Sequence, residues 1–222
     1  MAVSSSGAGA VRGWERALLS EIDAVAAPGM VPWRPVRRYF GIGAFGINAF
    51  SAHAGEEVIE RHTEEARQHE EAYVVVSGRA AFTLGGDKVD APAGTIIFVR
   101  DPAVDRSAVA EGPETTIVAI GGKRGAPYTV GPWEFVYVAR ARGNAGDHEG
   151  AIDELKRGLE HHPDHRMLLY RLANWEAGAG RTDDALDHLA AAIAGRKALH
   201  DQAQSDPAFE AIRTDPRFPS TS

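Results

Sequence analysis

One histidine and several glutamates stand close together in the sequence, at Glu60, His62, Glu64 and Glu71. Side chains two residues apart on a β-strand share a face, so Glu60, His62 and Glu64 are predicted to point one way, and Glu71 and Tyr73 another. If both faces line one interior, an imidazole meets two or three carboxylates there. Divalent ions of hard or intermediate character, such as Fe(II) and Mn(II), accept this ligand set. We therefore predict metal ligands at His62, Glu64 and Glu71.

Two other interpretations of this segment stay open. The run from Glu64 to Glu71 is rich in charged residues and is also typical of a solvated loop, with His62 on an exposed strand end. Alternatively, the same side chains bind a ligand without any metal. His69 is a candidate fourth ligand, although a loop histidine beside two glutamates is commonly just solvated. The cofactor is accordingly a divalent ion (Fe, Mn or Zn) or none.

Arg106 separates these chemistries, because a guanidinium stays protonated and cannot enter the first shell of a metal. It favours an anionic ligand such as a carboxylate or a phosphate. An inward Arg106 should pair with Glu64 or Glu71 and hold the site closed to metal, whereas an outward one leaves the ligands free. We expect the inward orientation, and we predict ligand contacts from Arg106, Tyr73 and Glu60.

Short β-branched and aromatic runs, separated by Gly, Pro and Asp, predict the strands that position these residues. Regularly spaced short strands of this kind are typical of a barrel or a sandwich. The predicted strands are Tyr39–Phe50, Glu56–His62, Ala72–Ser77, Ala80–Leu84, Thr95–Val99, Ser107–Ala110 and Thr115–Ile120.

The segment from about Val36 to Gly122 resembles the cupin family. The first cupin motif is matched by Gly55, by His62-Thr63-Glu64 in place of the usual pair of histidines, and by Glu71 seven residues before Gly78. The second motif is matched by the turn and strand of Asp90–Val99, with Arg106 where the family usually has a histidine. The resemblance implies an antiparallel β-barrel (a double-stranded β-helix) and dioxygenase, isomerase, or sugar- or acid-binding chemistry.

Helical patterns flank the predicted strands. Apolar residues from Val11 to about Ala26 recur every three or four positions, which predicts a helix packed on the barrel. After Gly125, the segment from Pro132 matches the segment from Arg166 at an offset of 34 residues. That period, with small residues at fixed places, resembles the tetratricopeptide repeat (TPR). It predicts four antiparallel helices over residues 132–195, capped by residues 201–218.

Composition limits the function classes. The 222 residues carry a formal net charge of -7, which disfavours a nucleic acid or an anionic membrane as the partner. Cysteine is absent, which excludes disulfides, thiolate metal sites and a cysteine nucleophile. No apolar run is long enough to span a bilayer, and the N-terminus lacks the pattern of a signal peptide, so we expect a cytoplasmic protein.

The sequence thus predicts an α+β protein in three parts. Residues 1–30 form a tail and a helix, 31–125 a cupin-like barrel, and 126–222 a TPR-like helical domain. The first functional hypothesis is a small-molecule-binding cupin, either a metal enzyme or a relative without metal, whose helical appendage serves structure or association, as in a homodimer. The alternative is a non-enzymatic scaffold that binds a protein or peptide through its TPR helices.

Overall fold

In a computed structural model, which describes residues 15–219, the first half of the chain folds into two antiparallel sheets. Their strands are β1 (Trp33–Arg34), β2 (Gly46–Ala52), β3 (Glu57–His62), β4 (His69–Ser77), β5 (Arg79–Leu84), β6 (Asp87–Pro92), β7 (Ile96–Val99), β8 (Arg106–Ala110) and β9 (Thr115–Lys123). One sheet has the order β1-β2-β9-β4-β7 and the other β3-β8-β5-β6.

The core of this half lies between the two sheets and follows from strand alternation. On β4, Tyr73 and Val75 are buried, and Val76, the next residue along the strand, is exposed on the outer face. Phe82 on β5 and Ile117 on β9 face the same interior and are fully buried. Because side chains alternate along a strand, the inward face of β4 also carries Glu71 toward this core.

The predicted barrel is wrong in one respect, because the two sheets do not close into a single hydrogen-bonded barrel. The chain passes from one sheet to the other through the turn at residues 93–95, so β6 and β7 end in different sheets and are not paired. Side-chain packing of the shared core holds the sheets together instead. The antiparallel pairing predicted from the sequence is confirmed.

The N-terminal helix predicted from Val11 to Ala26 is also wrong where the structure describes it, from residue 15 onward. Only a three-residue 3-10 turn forms, at Leu19–Glu21. Val25 instead makes an isolated antiparallel bridge with Trp33, and Ile22 is buried against the outside of the five-stranded sheet. The apolar residues of this segment are therefore buried by packing on the sheet, without a helical backbone.

Two strand predictions differ from the structure. The first half of the predicted strand Tyr39–Phe50 contains the end of helix α1 (Val36–Phe40) and a turn at Gly41, whose positive φ of 65° favours glycine. Strand β6 was not predicted, because its mostly polar residues lie at a sheet edge and show no apolar alternation. Gly78, in the turn from β4 to β5, cannot carry a side chain, since a Cβ there would lie 2.6 Å from the carbonyl oxygen of Glu114.

The second half of the chain is helical, and the four helices predicted over residues 132–195 are confirmed. They are α2 (Pro132–Asn144), α3 (His148–His161), α4 (Arg166–Gly178) and α5 (Thr182–Ile193), so α2 and α4, and likewise α3 and α5, begin 34 residues apart. Buried alanines recur at the same offset, at Ala139 and Ala173. Helix α6 (Lys197–Ser205) and a 3-10 segment, Pro207–Ile212, follow, and Phe209 and Ile212 cap the helical core.

Buried ion pairs join the two halves. The Arg37 guanidinium donates to both carboxylate oxygens of Glu134 on α2, at 3.2 and 2.5 Å. Arg38 binds Glu154 on α3 at 2.6 and 2.7 Å. Glu134 and Glu154 are almost completely buried, so these charges depend on their arginine partners. Among residues 15–219, no helix has the length and apolar character needed to cross a bilayer.

Candidate functional site

The side chains of His62, Glu64 and Glu71 converge at one end of the sandwich. Each offers one ligand atom, and these three atoms all lie within 4.8 Å of one another. His62 ends β3, and Glu71 lies on β4. Glu64 was expected on the same strand face as His62, but it lies in the loop after β3 and reaches the group through that loop.

His62 is oriented by a backbone hydrogen bond. Its Nδ1 atom donates to the carbonyl oxygen of Glu60 at 2.7 Å, which places Nε2 3.5 Å from Glu71 Oε2. Burial disfavours the charged imidazolium, but the hydrogen bonds to Glu71 and Glu60 and the negative charges of Glu71 and Glu64 outweigh it and raise the pKa of His62. In the neutral ring, this tautomer leaves the Nε2 lone pair facing Glu71.

Glu71 is held by three neighbours. The Tyr73 hydroxyl donates to Glu71 Oε2 at 2.5 Å, and Arg106 Nη1 lies 3.4 Å from the same oxygen. Burial alone would raise the pKa of Glu71, but the hydrogen bonds from His62 and Tyr73 and the positive charges of His62 and Arg106 lower it. Glu71 is therefore a carboxylate at neutral pH. The same carboxylate contributes, after burial, to raising the pKa of Tyr73, which stays a hydrogen-bond donor.

Glu64 is buried and only partly satisfied. Arg67 Nη1 lies 3.3 Å from its Oε1, and His69 Nδ1 lies 3.4 Å from its Oε2. The second contact lacks hydrogen-bond geometry, so Oε2 is a buried oxygen with no hydrogen-bond partner in the described part of the chain. Burial raises the pKa of Glu64 and lowers that of His69. His69, the candidate fourth ligand, thus contacts Glu64 but lies outside the group of three.

Arg106 points inward and is fully buried, in the orientation expected from the sequence. It stands opposite His62 in the pairing of β8 with β3, which aims its guanidinium at Glu71. Its Nη2 donates to the carbonyl oxygens of Asp101 and Pro102 at 3.3 and 3.4 Å, whereas Nε and Nη1 have no hydrogen-bond partner among residues 15–219. Arg106 is not among the residues that line the cavity described next, whereas Glu71 is.

A cavity of about 340 Å³ lies beside these residues and is lined by strands of both sheets and by α2. His62, Glu64 and Glu71 line its polar part, together with Glu60 and Tyr73. Aromatic side chains form much of the remaining wall: Trp33, Phe50, Tyr128, Trp133 and Tyr137. A cavity of this size with a few convergent polar groups is a common form of small-molecule site.

The helical half supplies walls of this cavity that were not predicted as site residues. Trp133 packs edge-on against Trp33, with ring centroids 5.2 Å apart, and against Tyr137 at 5.6 Å. The Tyr137 hydroxyl donates to Glu60 Oε2 at 3.1 Å, which fixes one predicted ligand-contacting carboxylate. The sequence motifs described above gave no signal for these aromatic residues.

The donor set fits a divalent metal ion. One imidazole and two carboxylates are ligands that Fe(II) and Mn(II) accept, and the unpartnered oxygen of Glu64 is a buried acceptor that a cation would satisfy. The fixed charge of Arg106 beside Glu71 acts in the opposite sense and lowers the affinity for a cation. The three residues could therefore hold a metal ion, and the nearby Arg106 would weaken its binding.

Comparison with known proteins yields structural likeness only. No family model matches the sequence, and neither does any curated protein. A cupin protein from Bacteroides fragilis is 19% identical, covers 52% of this chain and 89% of its own, and has a TM-score of 0.42. A conserved protein with a double-stranded β-helix domain from Klebsiella pneumoniae is 20% identical, over 55% and 94% of the two chains, at 0.43. A predicted oxalate decarboxylase from Thermotoga maritima is 19% identical, over 49% and 99%, at 0.42.

Proposed function

We propose that the first half of this chain is a cupin-type domain that binds a small molecule in the cavity beside His62, Glu64 and Glu71, and that these three residues hold a divalent metal ion. The observation that carries the proposal is their convergence, with ligand atoms within 4.8 Å of one another at the polar part of the cavity. A bound ion would supply Lewis-acid polarisation of an oxygen atom on the ligand.

The protein's own groups would orient that ligand and exclude water. Tyr73 and Arg106 hold Glu71 ionised, and the carbonyl of Glu60 fixes the ring of His62. Trp133 and Tyr137 cover the aromatic side of the cavity, which removes water from around the polar groups and strengthens their electrostatic interactions.

Elemental analysis of protein purified without chelators tests the metal. We expect stoichiometric metal, and a rise in melting temperature when Fe(II), Mn(II) or Zn(II) is added to chelator-treated protein, because a ligand that binds the folded state stabilises it. The His62→Ala variant should lose both signals. The matched control is His53→Ala, since the exposed ring of His53 bonds to the carbonyl oxygen of Pro113 and lies outside the group of three. Equal metal content in both variants would contradict the proposal.

One observation favours a second candidate, a metal-free ligand-binding site. The guanidinium of Arg106 already supplies a positive charge to Glu71, with an Nη1 atom that lacks a hydrogen-bond partner. In that case the native protein contains no stoichiometric metal, and none of the three ions changes its melting temperature. Small ligands would still raise the melting temperature. Such a rise would distinguish a ligand-binding protein from a scaffold that binds no small molecule.

For the helical half, we propose two TPR-like hairpins that serve the strand half structurally. The 34-residue offset between α2 and α4, and between α3 and α5, supports the repeat, as do the buried alanines at that offset. The ion pairs Arg37–Glu134 and Arg38–Glu154 support a fixed attachment that holds the Trp133 wall over the cavity. An interaction or dimerisation role would show as a larger species in light scattering of the purified protein.

A further inference from the structure

A second, smaller cavity of about 150 Å³ adjoins the first at the start of α2, and its polar lining is basic. Four side chains that carry or can accept a positive charge line it: Arg67, His69, Lys123 and His162. No aspartate or glutamate of the described chain lines it, although the whole protein carries a net negative charge. A concave site lined by one sign of charge concentrates ions of the opposite sign.

Lys123 is the most available of these four side chains. It ends β9, where it stands opposite His69 in the pairing with β4. Within residues 15–219, its ammonium group has neither a hydrogen-bond nor an ion-pair partner. The adjacent Arg124 differs, because it lies 4.0 Å from Glu70 and does not line the cavity. An unpaired ammonium at the edge of a basic cavity is free to bind an anion.

The other walls present few competing acceptors. His162 Nε2 donates to the carbonyl oxygen of Val130 at 2.6 Å, which occupies that acceptor. Gly131 and Pro132, at the first turn of α2, complete the wall. The 13-residue helix α2 therefore directs the positive end of its dipole toward the basic side chains.

This cavity shares two lining residues with the proposed binding site. Arg67 and His69 line both cavities, and both also contact Glu64. The two cavities are therefore neighbours, and a ligand that spans both would place one end near Arg67 and Lys123 and the other beside Glu71. The basic cavity is too small to be a separate binding site for a drug-sized ligand.

We infer that this basic cavity is an oxyanion subsite, so that the ligand of the proposed site is a small molecule bearing a phosphate or carboxylate group. The inference rests on the proposed function, since it assigns a chemical class to the ligand of the same cavity. Lys123 and Arg67 are the residues that bind the anionic group, and the side chains around Glu71 contact the other end.

Isothermal titration calorimetry with chelator-treated protein tests the subsite, because no metal is then present to bind the anion. The probes are inorganic phosphate and acetate at fixed ionic strength. We expect at least one to bind, and Lys123→Ala to weaken that binding about three- to tenfold, as expected for loss of one charge-assisted contact. Lys123→Arg should retain binding. The matched control Arg124→Ala removes a neighbouring charge and should change binding by less than about twofold.

The outcomes separate the two ligand chemistries and the two proposals. Tighter binding of phosphate assigns a phosphorylated ligand, and tighter binding of acetate assigns a carboxylate. Absence of binding by both probes overturns the subsite, and so does an equal loss in Lys123→Ala and Arg124→Ala. Because the calorimetry needs no metal, it tests the subsite independently. Stoichiometric metal in the native protein with no anion binding would refute the subsite alone. Anion binding by a protein whose native form contains no metal would refute only the metal assignment.

Discussion

The Nη1 atom of Arg106 lies 3.4 Å from Oε2 of Glu71, and the guanidinium has no exposed surface. This pair places a permanent positive charge beside a proposed metal ligand. It also compensates a carboxylate that is itself mostly buried. Arg106 therefore tunes the site in both of the chemistries proposed above.

Replacing Arg106 should increase metal affinity. In Arg106→Gln the repulsion between guanidinium and cation is lost, and we expect the dissociation constant for Mn(II) to fall at least about tenfold, equivalent to about 1.4 kcal/mol. Arg106→His should bind still more tightly, because it can add an imidazole ligand. Titrations monitored by calorimetry check this. Unchanged affinity in both variants would show that Arg106 does not control the metal site.

Breaking the ion pair between the two halves should destabilise the protein. In Glu134→Gln, the half-buried Arg37 loses its carboxylate partner, and we expect the free energy of unfolding to fall by about 3 kcal/mol. Urea denaturation measures this. The control is Glu149→Gln, which breaks the exposed pair with Arg181 and should cost under about 1 kcal/mol. Similar losses in both variants would contradict a structural role for the buried pair.

The repeat assignment predicts a tight helix contact at Ala173. This residue lies on α4 and is fully buried in the core of the helical half. Ala173→Leu should therefore overpack the contact and lower the free energy of unfolding by about 1–3 kcal/mol. Ala190→Leu on α5 is the control, because Ala190 is exposed and should tolerate the larger side chain. A melting temperature unchanged by Ala173→Leu would count against close packing at this position.

The pair of His188 and Glu176 predicts a pH-dependent contribution to stability. His188 Nδ1 lies 2.7 Å from a carboxylate oxygen of the fully buried Glu176. That hydrogen bond, with the charges of Glu176 and Asp184, raises the pKa of His188 above 6.5, although burial and Lys156 oppose the shift. A raised pKa stabilises the folded state fully below 6.5, and the stabilisation is lost as the pH rises through the folded-state pKa.

Urea denaturation of the wild type and of His188→Gln across this range checks the sign. The difference in unfolding free energy should be largest near about pH 5.5 and should shrink toward about pH 8.5. His53→Gln is the control, because that ring contacts the carbonyl oxygen of Pro113 and not a carboxylate. A difference that grows as the pH rises would contradict the assigned charge state of His188.

Local patterns in the sequence determined most of the elements. Alternating apolar residues predicted β4, because Tyr73 and Val75 are buried on one face. A period of 3.6 with small residues at a fixed offset predicted helices α2 to α5. The predicted N-terminal helix failed because Val25 pairs with Trp33, a contact that the helical spacing of the same residues does not reveal. The sequence did not predict strand β6, because a strand at the edge of a sheet does not need an apolar face.

The candidate site, like the fold, was determined partly by the sequence and partly by the tertiary structure. Strand alternation, combined with the resemblance to the first cupin motif, proposed His62, Glu64 and Glu71. The orientation of Arg106 was set by its position opposite His62 in the pairing of two distant strands, and the aromatic wall by docking of α2, which brings Tyr137 to Glu60. Contacts between residues far apart in the chain depend on how whole elements pack. Only the tertiary structure could therefore decide what surrounds the three converging side chains.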